Sequence, residues 1–269
     1  MSKFNEYLKE TIEIKTQIGD MILKNCQPYL KEIKKNNIIK FLYRGTDENV
    51  PDIRKKSPRK DRKPRDTYQG LHDMMNDYFR KFYGWKARSE GVFVIGHRKP
   101  IRTNNYGKPY IFIPIGKYEY LWNPNVEDLY AETDNENFLP FEDWGMESDW
   151  NDRYGEGGEG TWVYNGEELS IQDRDDAFEY LENEYGEEFD EYKLVWEPEI
   201  SYEEFMKEKE DEHNEKMEEE LEYIIKSYQN TKGLKSAINS KHEIMFRCKE
   251  YYLINTKYTE YLEKILFGM

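Results

Sequence analysis

Cysteine is nearly absent: Cys26 and Cys248 are the two in 269 residues. They stand more than two hundred positions apart, which excludes both a disulfide framework and a four-ligand zinc module. Long apolar runs are missing too. No stretch approaches the ~18–20 residues of a membrane span, and the opening MSKFNEYLKE lacks the apolar segment of a signal peptide. The expectation is a cytoplasmic protein with no membrane contact.

Histidine is scarce, and His72, His97, His213 and His242 never stand at metal-ligand spacing. No Walker loop or G-x-S-x-G elbow occurs, and the acidic stretch from Asp143 to Asp176 never falls into a calcium-loop register. No metal site is expected. Gly155, Gly157 and Gly160 match a dinucleotide-loop spacing, yet Glu156 and Glu159 inside it would repel a pyrophosphate and no apolar strand precedes it.

Hydrophobic residues are also few, 37% against 35% charged, a balance that leans towards disorder. The aromatic content reverses that inference. With 23 Tyr, 13 Phe and 6 Trp, a core can be assembled from large rings. Charge is unevenly divided: residues 31–110 carry about +12 and residues 119–222 about −32. The two stretches are expected to form separate surfaces. The basic centre, Arg54 to Arg65 (RKKSPRKDRKPR), reads as a solvated loop, with a phosphate or nucleic-acid contact as its alternative.

Phe4, Tyr7, Leu8, Ile12, Ile18, Met21 and Ile22 follow one helical face up to a break at Pro28. Ile38–Tyr43 reads as a buried strand ending at Arg44-Gly45, and Leu71–Phe82 as an amphipathic helix stopped by Gly84. Short strands are expected at Gly91–Ile95, Tyr110–Ile115 and Tyr118–Trp122. In the acidic, periodicity-poor stretch Asn135–Glu191, one helix is expected over Asp175–Tyr185; Ser201 with Glu204 then makes a capping box before a long, largely solvated helix. Glu243–Cys248 and Tyr251–Ile254 read as two strands of a hairpin around Lys249-Glu250, followed by a last helix through Tyr258, Leu262 and Leu266. Strands close in sequence at the C-terminal end favour an α+β fold over a parallel doubly wound sheet.

Two fragments carry chemistry. In Phe41-Leu42-Tyr43-Arg44-Gly45-Thr46, an Arg leaves an apolar strand directly before a Gly that permits close approach of a ligand. Its planar fork suits a diphosphate, and a surface salt bridge is the competing role. In Lys241-His242-Glu243-Ile244-Met245-Phe246, a carboxylate opens an apolar strand; alone, such a Glu is usually just solvated.

Together, in this order, LYRG, GVFVIG and HEIMFRCKEYYLI resemble the motif series of the mono-ADP-ribosyltransferase fold, in particular tailed-phage proteins that look like members of it. The matching blocks span roughly 38–130 and 231–255. The resemblance implies a split β-sheet core formed by 37–134 and 231–256, an N-terminal helical segment 1–36, an acidic insert with a long helix over 135–230, and a C-terminal helix 257–269. It implies NAD as substrate, Arg44 and Glu243 as catalytic residues, and Arg44, Gly45, Thr46, Phe93, Gly96, Tyr106 and Tyr118 around the nucleotide. Phe93 and Tyr118 have core packing as their competing role. Val94 and Ile95 stand where many members carry Ser or Thr, with Thr103 a candidate replacement hydroxyl. Lys241 stands where arginine-modifying members carry Glu or Gln, so the acceptor, host protein or nucleic acid, stays open. For a phage-encoded chain the site of action would be the host cytoplasm. The rival readings are a non-catalytic protein whose basic loop docks on nucleic acid or an acidic partner, and an inactive relative built into a virion.

Overall fold

The computed structural model describes residues 3–60, 62–64, 67–98, 106–142, 145–155, 159–171 and 173–268, with side chains from residue 12 onward. In chain order the strands are β1 (Leu42–Thr46), β2 (Ile53–Lys56), β3 (Val92–Val94), β4 (Lys108–Trp122), β5 (Gly160–Tyr164), β6 (Glu167–Leu169), β7 (Leu194–Pro198), β8 (Gln229–Asn230) and β9 (Ile244–Asn255). They form two antiparallel sheets. One runs β1-β4-β9-β2 with β3 on β9 and β8 on β4, and the other runs β6-β5-β7. With helices before, between and after the strands, the fold is α+β.

The chain divides into two compact units. Met1–Phe138 and Glu220–Met269 make the first, and Leu139–Glu219 the second. The first holds the larger sheet and its core; the second holds β5, β6 and β7.

Pairing of β4 with β9 organises the first unit. It runs from Tyr110 opposite Asn255 to Trp122 opposite Ile244, interrupted by a bulge between Ile115 and Tyr118 where Gly116 takes φ +67°. The runs Tyr110–Ile115 and Tyr118–Trp122, expected as separate strands, are therefore one bent strand. The expected hairpin at Lys249-Glu250 is likewise absent, because β9 passes straight through those residues. Neither residue suits the left-handed backbone of a tight turn, and Glu250 is held in the sheet by Lys55 of β2 at 2.9 Å. Phe246 anchors the core beneath this ribbon, its ring 5.2 Å from Phe112, 5.6 Å from Tyr118 and 5.4 Å from Tyr120.

The free edge of β9 is shared between two short strands. Val92–Val94 of β3 pairs with Phe246–Ile244, and Ile53–Lys56 of β2 pairs with Ile254–Tyr251. One residue beyond β3, Ile95 exchanges both backbone hydrogen bonds with Tyr43, at 2.8 and 2.9 Å. Since β1 already pairs with β4, the sheet closes on itself through β1, β4, β9 and β3.

Two further expectations are corrected. β1 starts at Leu42, not Ile38: Ile38 and Phe41 are buried, but Ile39 and Lys40 are exposed and leave no ladder. Arg44 and Gly45 accordingly lie within the strand, opposite Tyr110 and Pro109, since β4 extends back to Lys108 and prolongs the pairing. The start of the basic run is not loop either. Arg54, Lys55 and Lys56 belong to β2, where Arg54 and Lys56 both engage Glu48.

The helices follow their sequence signals more closely. Lys3–Asn25 gives way to Gln27–Lys35 with Pro28 in the first turn, and Gln69–Tyr83 stops at Gly84, φ +78°. Helix Arg174–Tyr185 is capped by Asp173. Tyr202–Lys226 opens on the capping box, with Ser201 Oγ accepting from the Glu204 N–H at 3.2 Å and the Glu204 carboxylate accepting from the Ser201 N–H at 3.0 Å. The last helix is Thr259–Phe267. In the second unit, β5 and β6 turn at Asn165-Gly166, both with positive φ. This is the Asn-Gly hairpin signal of a two-residue turn, present in the sequence.

Closure has a steric condition at Gly96. A Cβ there would lie 1.7 Å from the Ile238 carbonyl oxygen, on the helix Leu234–Asn239. Gly96→Ala is expected to destabilise the protein by about 1–3 kcal/mol, the range of an overpacked core, measured as a lower denaturant midpoint. An unchanged midpoint would show that this contact does not constrain the fold.

Candidate functional site

Closing the sheet has a chemical consequence at Phe93. Register places Phe93 opposite Met245, two residues beyond Glu243, while the Tyr43–Ile95 bridge brings in the neighbour of Arg44. Arg44 then donates from Nη1 to the Phe93 carbonyl at 3.3 Å. Arg44 and Glu243, nearly two hundred positions apart, thus both lie next to one short strand.

Two other arginines join them. The guanidinium of Arg62 lies 4.1 Å from the centre of the Phe93 ring and that of Arg88 5.1 Å. Arg88 Nη1 is also 3.4 Å from Glu243 Oε1, the two side chains being 13% and 22% exposed. Arg88 is positioned from behind. It sits in the single helical turn Ala87–Glu90, whose Arg88 and Ser89 N–H groups both donate to Asn76 Oδ1 at 3.1 Å. Asn76 Nδ2 donates to Ser89 Oγ at 2.9 Å, and His72 Nε2 lies 3.1 Å from the same oxygen. Asn76 and His72 are buried on the helix Gln69–Tyr83, so this scaffold is anchored in the core.

Electrostatics at Glu243 follow from the enclosure. Although 22% of its side chain meets solvent, the carboxyl is surrounded closely enough that burial pushes its pKa up to about 7. Arg88 and Arg62 oppose the rise and Asp128 reinforces it. At neutral pH the group is close to half ionised. Arg62 is exposed as a residue but its head lies in dense protein; that burial, with repulsion from Arg88, Arg44 and Arg59, draws it down to about 10 against the pull of Glu243. The backbone of Glu243 is fixed separately, its N–H donating to the Glu127 carbonyl at 2.8 Å.

The other residues singled out in the sequence fall in several places. Gly45 and Thr46 lie in β1 beside Arg44, and Thr46 Oγ1 accepts from the Glu48 N–H at 3.2 Å. Tyr118 lines a cleft of about 1010 Å³ together with Glu32, Pro58, Lys60, Arg247 and Cys248. Its hydroxyl donates to the Glu32 carboxylate, and burial followed by Glu32 raises its pKa. Three chain segments serve both cleft and cluster: Lys60 and Arg62, Glu90 and Arg88, Cys248 and Glu243. Tyr106 is exposed ahead of β4, and Gly96 has the packing role described above. Thr103 lies outside the described residues. The Phe93 ring carries two guanidiniums in this state.

Sequence reasoning missed Arg88 and Asn76 altogether and treated Arg62 as one charge in a loop. Nothing local marks Asn76. Arg88 has a signal in its place three positions before the GVFVIG run, readable only once that strand is known to border Glu243. Among the described residues, no group of three His, Cys, Asp or Glu side chains is placed to hold a metal ion. Comparison with protein-family models, curated proteins and solved structures returns no match.

The raised pKa of Glu243 makes a stability prediction. Between the ordinary carboxyl value and about 7, the folded chain binds a proton that the unfolded chain has lost, so this group's contribution is complete at low pH and is lost as pH rises through about 7. Glu243→Gln removes that dependence. Relative to wild type, the variant should gain up to about 3 kcal/mol in unfolding free energy between pH 4.5 and 8. Parallel stability curves for the two proteins would contradict the shift.

Proposed function

We propose that the Arg44, Phe93 and Glu243 cluster is a nucleotide site in an ADP-ribosyltransferase-like core, at which the chain uses NAD as substrate to transfer ADP-ribose to a protein or nucleic-acid acceptor. The observation that supports this reading is that Arg44 donates to the Phe93 carbonyl while Glu243 pairs with Arg88, whose guanidinium lies over the Phe93 ring. In this account Arg44 binds the diphosphate, since its fork donates in one plane and stays charged. Glu243 faces the ribose. As the bond from nicotinamide nitrogen to the anomeric carbon breaks, its electrons leave with nicotinamide and positive charge develops on the sugar, which a fixed carboxylate stabilises. The acceptor's nucleophile forms the new bond to that carbon and loses its proton.

Local ion pairing favours a small nucleotide over a long polyanion. Arg54, Lys55 and Lys56, the head of the basic run, are engaged by Glu48 and Glu250. Arg62 turns to the cluster. The basic run is thus partly neutralised and partly spent on the same site.

Glu243→Gln tests the reading. NAD binding should stay within about threefold of wild type while NAD cleavage falls by about 100-fold or more, the size of effect expected on removing a positioned electrostatic group. Wild-type cleavage should also rise with pH through about 7, because the ionised carboxylate is the active form. Cleavage by the variant at the wild-type rate would reduce Glu243 to a structural ion-pair partner and remove the basis of the proposal.

A further inference from the structure

Three guanidiniums meet at Phe93, and their charge is poorly matched. Arg88 is ion-paired with Glu243, whereas among the described residues neither Arg44 nor Arg62 has a carboxylate within ion-pair distance. The charged groups facing Arg62 are Arg44, Arg59 and Arg88 on one side of the balance and Glu243 on the other; Asp128 faces Glu243. His72 beside them is held below its usual value by burial and then by the charge of Arg88. Like charges gathered in partly dry protein repel strongly unless an anion joins them.

We infer that Arg62 and Arg88 complete, with Arg44, a three-guanidinium cage for the pyrophosphate group of a nucleotide. The inference rests on the nucleotide reading above and adds two binding residues to it. Stacking on Phe93 suits them to the role, because a guanidinium lying over a ring attracts it through its face and keeps its in-plane N–H donors for a ligand. Among the described residues, Arg44 is tethered by one donor, Nη1 on the Phe93 carbonyl. Arg88 is fixed at its backbone by Asn76, whereas its head, among the described residues, makes a single long polar contact, with Glu243 at 3.4 Å, that is exchangeable for a phosphate oxygen. With Glu243 ionised beside Arg88 the three arginines carry a net charge of about +2, which matches the two negative charges of a dinucleotide's pyrophosphate diester, and bidentate contacts fit its oxygens.

The test is calorimetric titration of the full chain with inorganic pyrophosphate, followed by competition. Wild type should bind saturably. Arg62→Ala, at an exposed residue, and Arg88→Lys, which keeps the charge beside Glu243, should each weaken binding by about tenfold or more with the melting curve preserved. Arg80→Ala, which loses only a surface pair with Asp77 on the helix Gln69–Tyr83, should bind as wild type. ADP-ribose should displace pyrophosphate, and an oligothymidylate at equal phosphate concentration should not. Absence of saturable binding, wild-type affinity in both Arg62→Ala and Arg88→Lys, or displacement by the oligothymidylate in preference to ADP-ribose would overturn the cage. Its failure is separable from that of the proposed function. Arginine-dependent pyrophosphate binding without NAD cleavage leaves the cage and removes the enzyme; NAD cleavage with pyrophosphate binding indifferent to Arg62 and Arg88 does the reverse.

Discussion

The pairing of β4 with β9 is the constraint on which the rest of the first unit depends. These strands contribute Phe112, Ile113, Tyr120, Phe246, Leu253 and Ile254 to the core, and β1, β2, β3 and β8 all attach to one or the other. β9 is paired on one edge by β4 along its length and on the other by β3 and β2 at its two ends. That arrangement leaves β3 only three residues long, and it is held from both sides, by β9 and by the Tyr43–Ile95 bridge. A strand so short has little stability of its own. Its position is set by its neighbours, so Phe93 is a fixed point on which charged groups from distant parts of the chain can be gathered.

Gathering them has an energetic consequence. Arg88 and Glu243 are mostly withdrawn from water, and an ion pair in that setting contributes little net stability because desolvation offsets the attraction. The surrounding structure nevertheless specifies the pair closely: Asn76 fixes the turn that bears Arg88, and the Glu127 carbonyl fixes the backbone of Glu243. Organisation of polar groups beyond what stability rewards supports the proposed nucleotide site. Two helix-surface pairs lack that support. Arg80 with Asp77, exposed, and Lys209 with Glu212, partly exposed, are local helix neighbours screened by solvent.

Helix ends are legible locally, whereas strand pairing is not. Gly84 and the Ser201/Glu204 box end or begin helices where their chemistry requires. Strand extents went wrong wherever a partner decided them. Lys249-Glu250 looked like a turn because two polar residues interrupted an apolar run, but β2 and β4 on either edge keep β9 extended. Gly116 and Lys117 likewise read as a break between strands when they form the bulge in one. Arg44 and Glu243 stand out in the sequence because each sits against an apolar strand, where charge is conspicuous. Arg62 does not, since a basic residue among other basic residues carries no local mark, and its place over the Phe93 ring depends on where a loop folds back.

The central claim is that Arg44 and Glu243 serve one nucleotide. A crystal structure of the chain with a non-hydrolysable NAD analogue tests it most directly. The account predicts diphosphate oxygens within about 3 Å of the Arg44 guanidinium, with a ribose hydroxyl at similar distance from the Glu243 carboxylate. An analogue bound away from Phe93, or the two side-chain heads more than roughly 12 Å apart with the nucleotide touching only one, would contradict it.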